Sequence, residues 1–319
     1  MGIAILGVLL SHAMEWTECE NLWVLKIGTI IARLVFTEGF LFLSGFGLYY
    51  SLSKENNNIL FYKRRMERVL IPFAIMAFPF YFLEFCMGKD SFCSFLLKES
   101  SLYFWAYGNN GMWYISVTIF LYILFPFIFN ILFKSKVYKS ILFRTIILIF
   151  LSETIIIFIY FINKPYYDLI SIGITKIPIF LIGMIMAYMS KEDIKLNIYY
   201  FICICAIFII NLVLKKEFPF FISIYEICYR LLSIPLICVC LKYLKFQYLN
   251  IILKWLGKYS LEIYVIHILL INKMKYLLNL IEINNATYLH VLVTYLIVLL
   301  LCKPIHNWIN KFIYYFKTM

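Results

Sequence analysis

Ten apolar runs, most of them long enough to cross a lipid bilayer, follow one another along this chain with only short polar connections. They cover roughly residues 1–16, 29–51, 69–87, 112–133, 141–162, 169–190, 197–214, 227–243, 249–272 and 288–310. A hydrocarbon layer about 30 Å thick takes about 20 helical residues. Inside that layer a helix satisfies its own backbone N–H and C=O groups. The chain is therefore read as an all-α integral membrane protein, a polytopic bundle of about ten transmembrane helices. No polar stretch is long enough to form a separate soluble domain, so residues 1–319 are read as one transmembrane domain. Only 14% of the 319 residues are charged and 64% are hydrophobic, where a soluble domain is about one quarter charged.

In a soluble chain a net charge of +12 would point to nucleic acid. Here cytoplasmic loops explain it, and no nucleic-acid partner is expected. The loops after the second, fourth, sixth and eighth runs, with Lys311 and Lys317 at the tail, collect 17 of the 29 Lys and Arg; the other side has eight. Because Lys and Arg concentrate in cytoplasmic loops, this bias puts both termini in the cytoplasm. The N-terminus lacks a basic n-region and a small-residue cleavage site, so it does not read as a signal peptide. The nine cysteines show no metal-ligand spacing, and no metal is expected; most sit in apolar runs, where Cys behaves as a small hydrophobe.

Ionisable groups inside the runs are costly and are functional candidates by default. His12 lies in the first run, with Glu15 three positions on and on roughly the same helix face. The competing reading is an imidazole that only hydrogen-bonds a neighbouring helix. Arg33 and Lys176 lie deep and need an acidic partner, water or an anionic ligand, with Glu38 and Glu153 as the available buried acids. Lys303 and Arg230 are read as snorkelling to an interface.

Four segments, taken in order, resemble the membrane-bound acyltransferase family 3, O-acyltransferases that modify sugars of surface polysaccharides. The first is Gly2-Ile3-Ala4-Ile5-Leu6 running to Ser11-His12-Ala13, similar to that family's opening helix with its key His. The second is Glu38-Gly39-Phe40-Leu41-Phe42-Leu43-Ser44-Gly45-Phe46-Gly47-Leu48, then Phe61-Tyr62-Lys63-Arg64-Arg65 and Arg68-Val69-Leu70-Ile71-Pro72. The third is Met112-Trp113-Tyr114-Ile115 with Tyr122 and Pro126. The fourth is Leu256-Gly257-Lys258-Tyr259-Ser260-Leu261 leading to Tyr264-Val265-Ile266-His267. Lys176-Ile177-Pro178 is a weaker match, at a position where the family more often has Arg. The family's Arg before the opening Gly falls on Met1, which suggests either a start lying upstream or a chain without that guanidinium.

The resemblance implies transfer of an acyl group, most simply acetyl, from cytoplasmic acetyl-CoA to a hydroxyl of a cell-surface glycan or its lipid-linked precursor, by a multi-pass protein of the cell membrane. Acetyl-CoA or another acyl-CoA is then a substrate, and no permanently bound cofactor is expected. Acyl transfer to a hydroxyl needs a base for the hydroxyl proton. An imidazole with an unperturbed pKa of about 6.5 suits that role, so His12 is the expected base, with Glu15 and Glu38 as orienting carboxylates. Arg65 and Arg68 are expected to meet the phosphates of the donor, for which Arg has fork geometry; Arg33 and Lys176 are further donor contacts. Ser44, Trp113, Tyr264 and His267 are expected around a cavity, although Ser44-Gly45 also reads as a close helix approach and His267 as a packed histidine. Rival readings are a transporter or flippase of a lipid-linked saccharide, and a catalytically silent family member.

Overall fold

In a computed structural model of the protein, every secondary-structure element among the described residues is helical. The structure describes residues 1–17, 28, 38–55, 57–108, 111–135, 137–195, 197–243, 247–280 and 287–318. Contacts divide the chain into two compact units: Met1–Thr37, Lys63–Tyr103 and Gln247–Met319 in one, Glu38–Tyr62 and Phe104–Phe246 in the other.

Among the described residues, seven helices are long and apolar enough to cross a membrane: Asn58–Cys86, Trp113–Phe133, Tyr138–Ile162, Lys164–Lys191, Ile198–Glu217, Pro219–Tyr243 and Leu289–Thr318. The other three runs differ for physical reasons. Helix α1 (Gly2–Trp16) has 15 residues, a rise of about 22 Å, short of a hydrocarbon layer. The run over 29–51 appears as α2 (Glu38–Lys54), and most of what precedes it lies outside the described residues. The run over 249–272 is two helices rather than one, and the second carries Glu262, Lys273 and Lys275.

In the order of the chain, α3 is Asn58–Cys86, α4 Phe92–Glu99 and α5 Tyr103–Tyr107. Then come α6 (Trp113–Phe133), α7 (Tyr138–Ile162), α8 (Lys164–Ile174), α9 (Ile177–Lys191), α10 (Ile198–Glu217) and α11 (Ile222–Tyr243). The last three are α12 (Gln247–Lys258), α13 (Ser260–Leu280) and α14 (Thr287–Thr318). Two prolines shape these helices. Pro178 lacks an N–H and its ring excludes the carbonyl four residues back, that of Ile174, where α8 stops and Thr175–Lys176 interrupts the span. Pro72 does the same to Arg68, and α3 absorbs it in a π-turn over Met66–Leu70.

Within the second unit α2 and α9 cross at backbone contact. A Cβ on Gly45 would meet the carbonyl of Phe180, and one on Gly183 that of Phe42, the close approach that small residues permit between membrane helices. Leu41, Val117, Leu121, Phe125 and Phe180 pack the core beside this crossing. Phe150, Phe158 and Ile209, on α7 and α10, are exposed, as lipid-facing side chains are. Within the first unit α13 packs on α14, α1 and α3, and α12 packs on α1.

Candidate active site

The first unit brings His12, Tyr264 and His267 together. His12 Nδ1 lies 3.1 Å from His267 Nε2, and His267 Nδ1 lies 2.8 Å from the carbonyl oxygen of Ile263. A carbonyl only accepts, so His267 Nδ1 carries a hydrogen. In a neutral imidazole the other nitrogen is then bare, and His267 Nε2 accepts from His12 Nδ1–H. By the same count His12 Nε2 keeps its lone pair. The hydrogen-bond pattern thus fixes both tautomers and leaves one basic nitrogen, on His12. His267 is completely buried; two imidazolium rings with facing nitrogens 3.1 Å apart in such surroundings would repel strongly, so the pair holds at most one extra proton.

Aromatic rings enclose the pair. Trp16 lies 4.7 Å from His12 and 6.0 Å from His267 between ring centroids. Tyr264 and Tyr295 lie 5.6 and 6.5 Å from His267. Tyr295 donates its hydroxyl to the carbonyl of Leu9 at 2.5 Å, tying α14 to α1 one turn before His12. Sequence reasoning passed over Trp16 and Tyr295. Trp16 stands four residues after His12, on the same helix face, a signal that was present; Tyr295 had none. Glu15 is exposed.

The second unit holds a separate buried ionic cluster. Lys176 Nζ lies 2.7 Å from Glu38 Oε1, and Arg230 lies 3.2 Å from Glu38 Oε2 and 3.8 Å from Glu226. Lys176 thus has the acidic partner that its depth demands. Arg230 does not snorkel: it is 4% exposed, because Glu38 supplies a counter-charge inside the unit. Glu153 accepts a hydrogen bond from the buried Ser223 hydroxyl at 2.6 Å. Ser44 bonds Tyr122 at 3.1 Å, and Trp113 belongs to the apolar core. Of the expected donor contacts, Arg65 is half-buried and Arg68 exposed on α3; Arg33 lies outside the described residues.

Among the described residues no group of three or more His, Cys, Asp or Glu is placed to hold a metal ion. What the His12–His267 arrangement can do is accept a proton at one nitrogen and spread the resulting charge over two rings. No curated protein and no solved structure matches the chain. A family model does: that of the acyltransferase domain, over residues 2–306. The match spans nearly the whole chain, helices long enough to cross a membrane and the histidine pair included, and the protein belongs to the acyltransferase domain family.

Proposed function

We propose that this membrane acyltransferase moves an acyl group, most simply acetyl, from cytoplasmic acetyl-CoA to a hydroxyl of a cell-surface glycan or its lipid-linked precursor, with His12 as the base. What supports that role is the hydrogen-bond geometry: His12 Nδ1 faces His267 Nε2 and His267 Nδ1 faces the Ile263 carbonyl, from which a bare His12 Nε2 follows. The hydroxyl oxygen attacks the thioester carbon as His12 Nε2 takes its proton. A C–O bond forms, the C–S bond breaks, and the same proton passes from His12 to the departing thiolate. His267 plays the part that a carboxylate plays beside a catalytic histidine, but as a neutral acceptor. Arg65 and Arg68, on the side richer in Lys and Arg, are the proposed contacts for the phosphates of the donor.

The test is ester-linked acetyl on surface glycans, read by NMR before and after mild base. Cells carry the wild-type protein, His12→Ala or none, with membrane levels matched by immunoblot. Acetyl present only with wild type supports the reading. Equal acetyl with His12→Ala removes His12 as the base, and no acetyl in any strain removes acetyl or the glycan.

One observation favours a second reading, transport of a lipid-linked saccharide. The interrupted span at Thr175–Lys176 meets buried Glu38 and Arg230, and transporters bind ionic substrates at interrupted helices. Turnover of acyl-CoA by purified protein, lost in His12→Ala, would exclude transport alone.

A further inference from the structure

The start of the ninth apolar run is a helix of its own, α12, with 12 residues. At about 100° per residue, Asn250, Lys254, Gln247 and Lys258 fall within an arc of about 80°, and Tyr248, Leu249, Ile251, Ile252, Trp255 and Leu256 occupy the rest of one broad face. The protein covers only part of that face. Leu256 is buried, and Leu253 abuts Gly2 of α1 through its carbonyl. Tyr248 is 84%, Ile251 64% and Ile252 54% exposed. Lys254 and Lys258 form no ion pair among the described residues.

A rise of about 18 Å is too short to cross a bilayer, and a lysine stripe keeps the helix out of the hydrocarbon centre. Charge identifies what covers the bare edge. Within the same unit, His306 of α14 holds Glu262 at the start of α13 at 2.6 Å, so α14 descends to the end where α12 lies. Lys317 near its tip holds Glu67 at 2.7 Å, beside Lys63, Arg64, Arg65 and Arg68. Exposed Tyr314 and Tyr315 flank that tip, as aromatic side chains do at a membrane surface. Basic groups, interfacial aromatics and an amphipathic helix with a bare apolar edge thus share one end of the unit.

We propose that α12 lies in the headgroup layer of the bilayer, with Tyr248, Ile251 and Ile252 entering the acyl boundary and Lys254 and Lys258 holding anionic phospholipid headgroups. Because α12 seats Gly2 of α1 through Leu253 and Gly257, this contact also anchors the helix that carries His12. The test reads lipid contact and is independent of acyl transfer.

Full-length protein is placed in nanodiscs of phosphatidylcholine with and without phosphatidylglycerol. A photo-reactive benzoylphenylalanine at position 252 is expected to cross-link to lipid. Amide exchange over 247–258 is expected to slow when phosphatidylglycerol is present, by up to about fivefold per lysine. High salt and the double variant Lys254→Gln/Lys258→Gln remove the slowing, while Lys254→Arg/Lys258→Arg keeps it. Cross-linking to another part of the chain or to a second copy overturns the proposal, as does exchange indifferent to phosphatidylglycerol.

Discussion

Replacing His267 with Leu tests the proposed chemistry at its most specific point. Leu fills much of the volume of the completely buried imidazole but takes away the acceptor for His12 Nδ1–H. The carbonyl of Ile263 is not orphaned, since it still receives the backbone N–H of residue 267 four positions on. The loss therefore falls on His12. A buried donor left without its partner costs about 1–3 kcal/mol, and each 1.4 kcal/mol is about tenfold. If that free energy is what holds Nε2 bare and aimed, kcat falls between about 5-fold and 150-fold, with KM for acyl-CoA little changed. His12→Ala removes the base outright and should cost about 10²–10⁴. Adding His267→Leu to His12→Ala should then cost nothing further, because both act through one nitrogen. His267→Gln, which restores a carbonyl acceptor on a longer stem, should recover part of the rate. The assay is transfer of labelled acyl from acyl-CoA in membrane vesicles at matched protein levels, with thermal unfolding in detergent as the control. Wild-type kcat in His267→Leu refutes the orienting role, and so does an additive loss in the double variant.

Glu38→Gln leaves Lys176 and Arg230 without the carboxylate they share; breaking a buried pair in this way costs about 3–5 kcal/mol, read as a lower unfolding midpoint in detergent, and an unchanged midpoint would show the cluster to be solvated. Gly45→Val puts a side chain into the carbonyl of Phe180 and should destabilise by about 1–3 kcal/mol; the exposed Gly47, where an added Cβ meets nothing within 4 Å, should accept Ala freely. Burial raises the carboxyl of Glu99, in the segment between spans, from 4.5 to about 7. A carboxyl that holds its proton more tightly when folded contributes stability below pH 4.5 that is lost as pH rises toward 7. Glu99→Gln should therefore flatten the fall of the unfolding midpoint across that window and raise the midpoint above it. An unchanged slope would count against a buried Glu99. Asp90 behaves in the opposite sense, since burial raises its carboxyl but the stronger hold of Lys98, at 2.5 Å, brings it below the usual range.

The helices were legible because apolar length is a property of consecutive residues. Their interruptions were harder to read. Pro178 and Pro72 stood in plain view, yet a hydropathy window averages over them. Tyr259 joins two helices that read as one apolar run over 249–272, so the amphipathic α12 read as the start of a span. The histidines were legible singly, since an imidazole in an apolar run stands out. Their partnership was not, because 255 positions separate them and nothing in spacing sets which helices meet. Arg230 was misread for the same reason. Its counter-charge, Glu38, lies 192 positions away, and without it snorkelling was the cheaper account.

Helix α13, which carries several ionisable groups and packs on α14, α1 and α3, shows why an apolar run with so many charges can sit inside its unit. Glu262, His267 and Lys273 climb it in steps of about 7.5 and 9 Å, and each meets a different helix. Glu262 pairs with His306 of α14, His267 with His12 of α1, and Lys273 with Glu84 of α3 at 2.8 Å. Residues 262–267 are all buried, as in a helix surrounded on every side. A lipid-facing helix with the same three groups would leave each of them in hydrocarbon without a partner. The two outer pairs set an acidic group against a basic one, which suits holding helices together. The middle pair joins two neutral rings, with one lone pair left over, on His12 Nε2. Of the three levels on α13, that one alone leaves a lone pair free, as the proposed base requires.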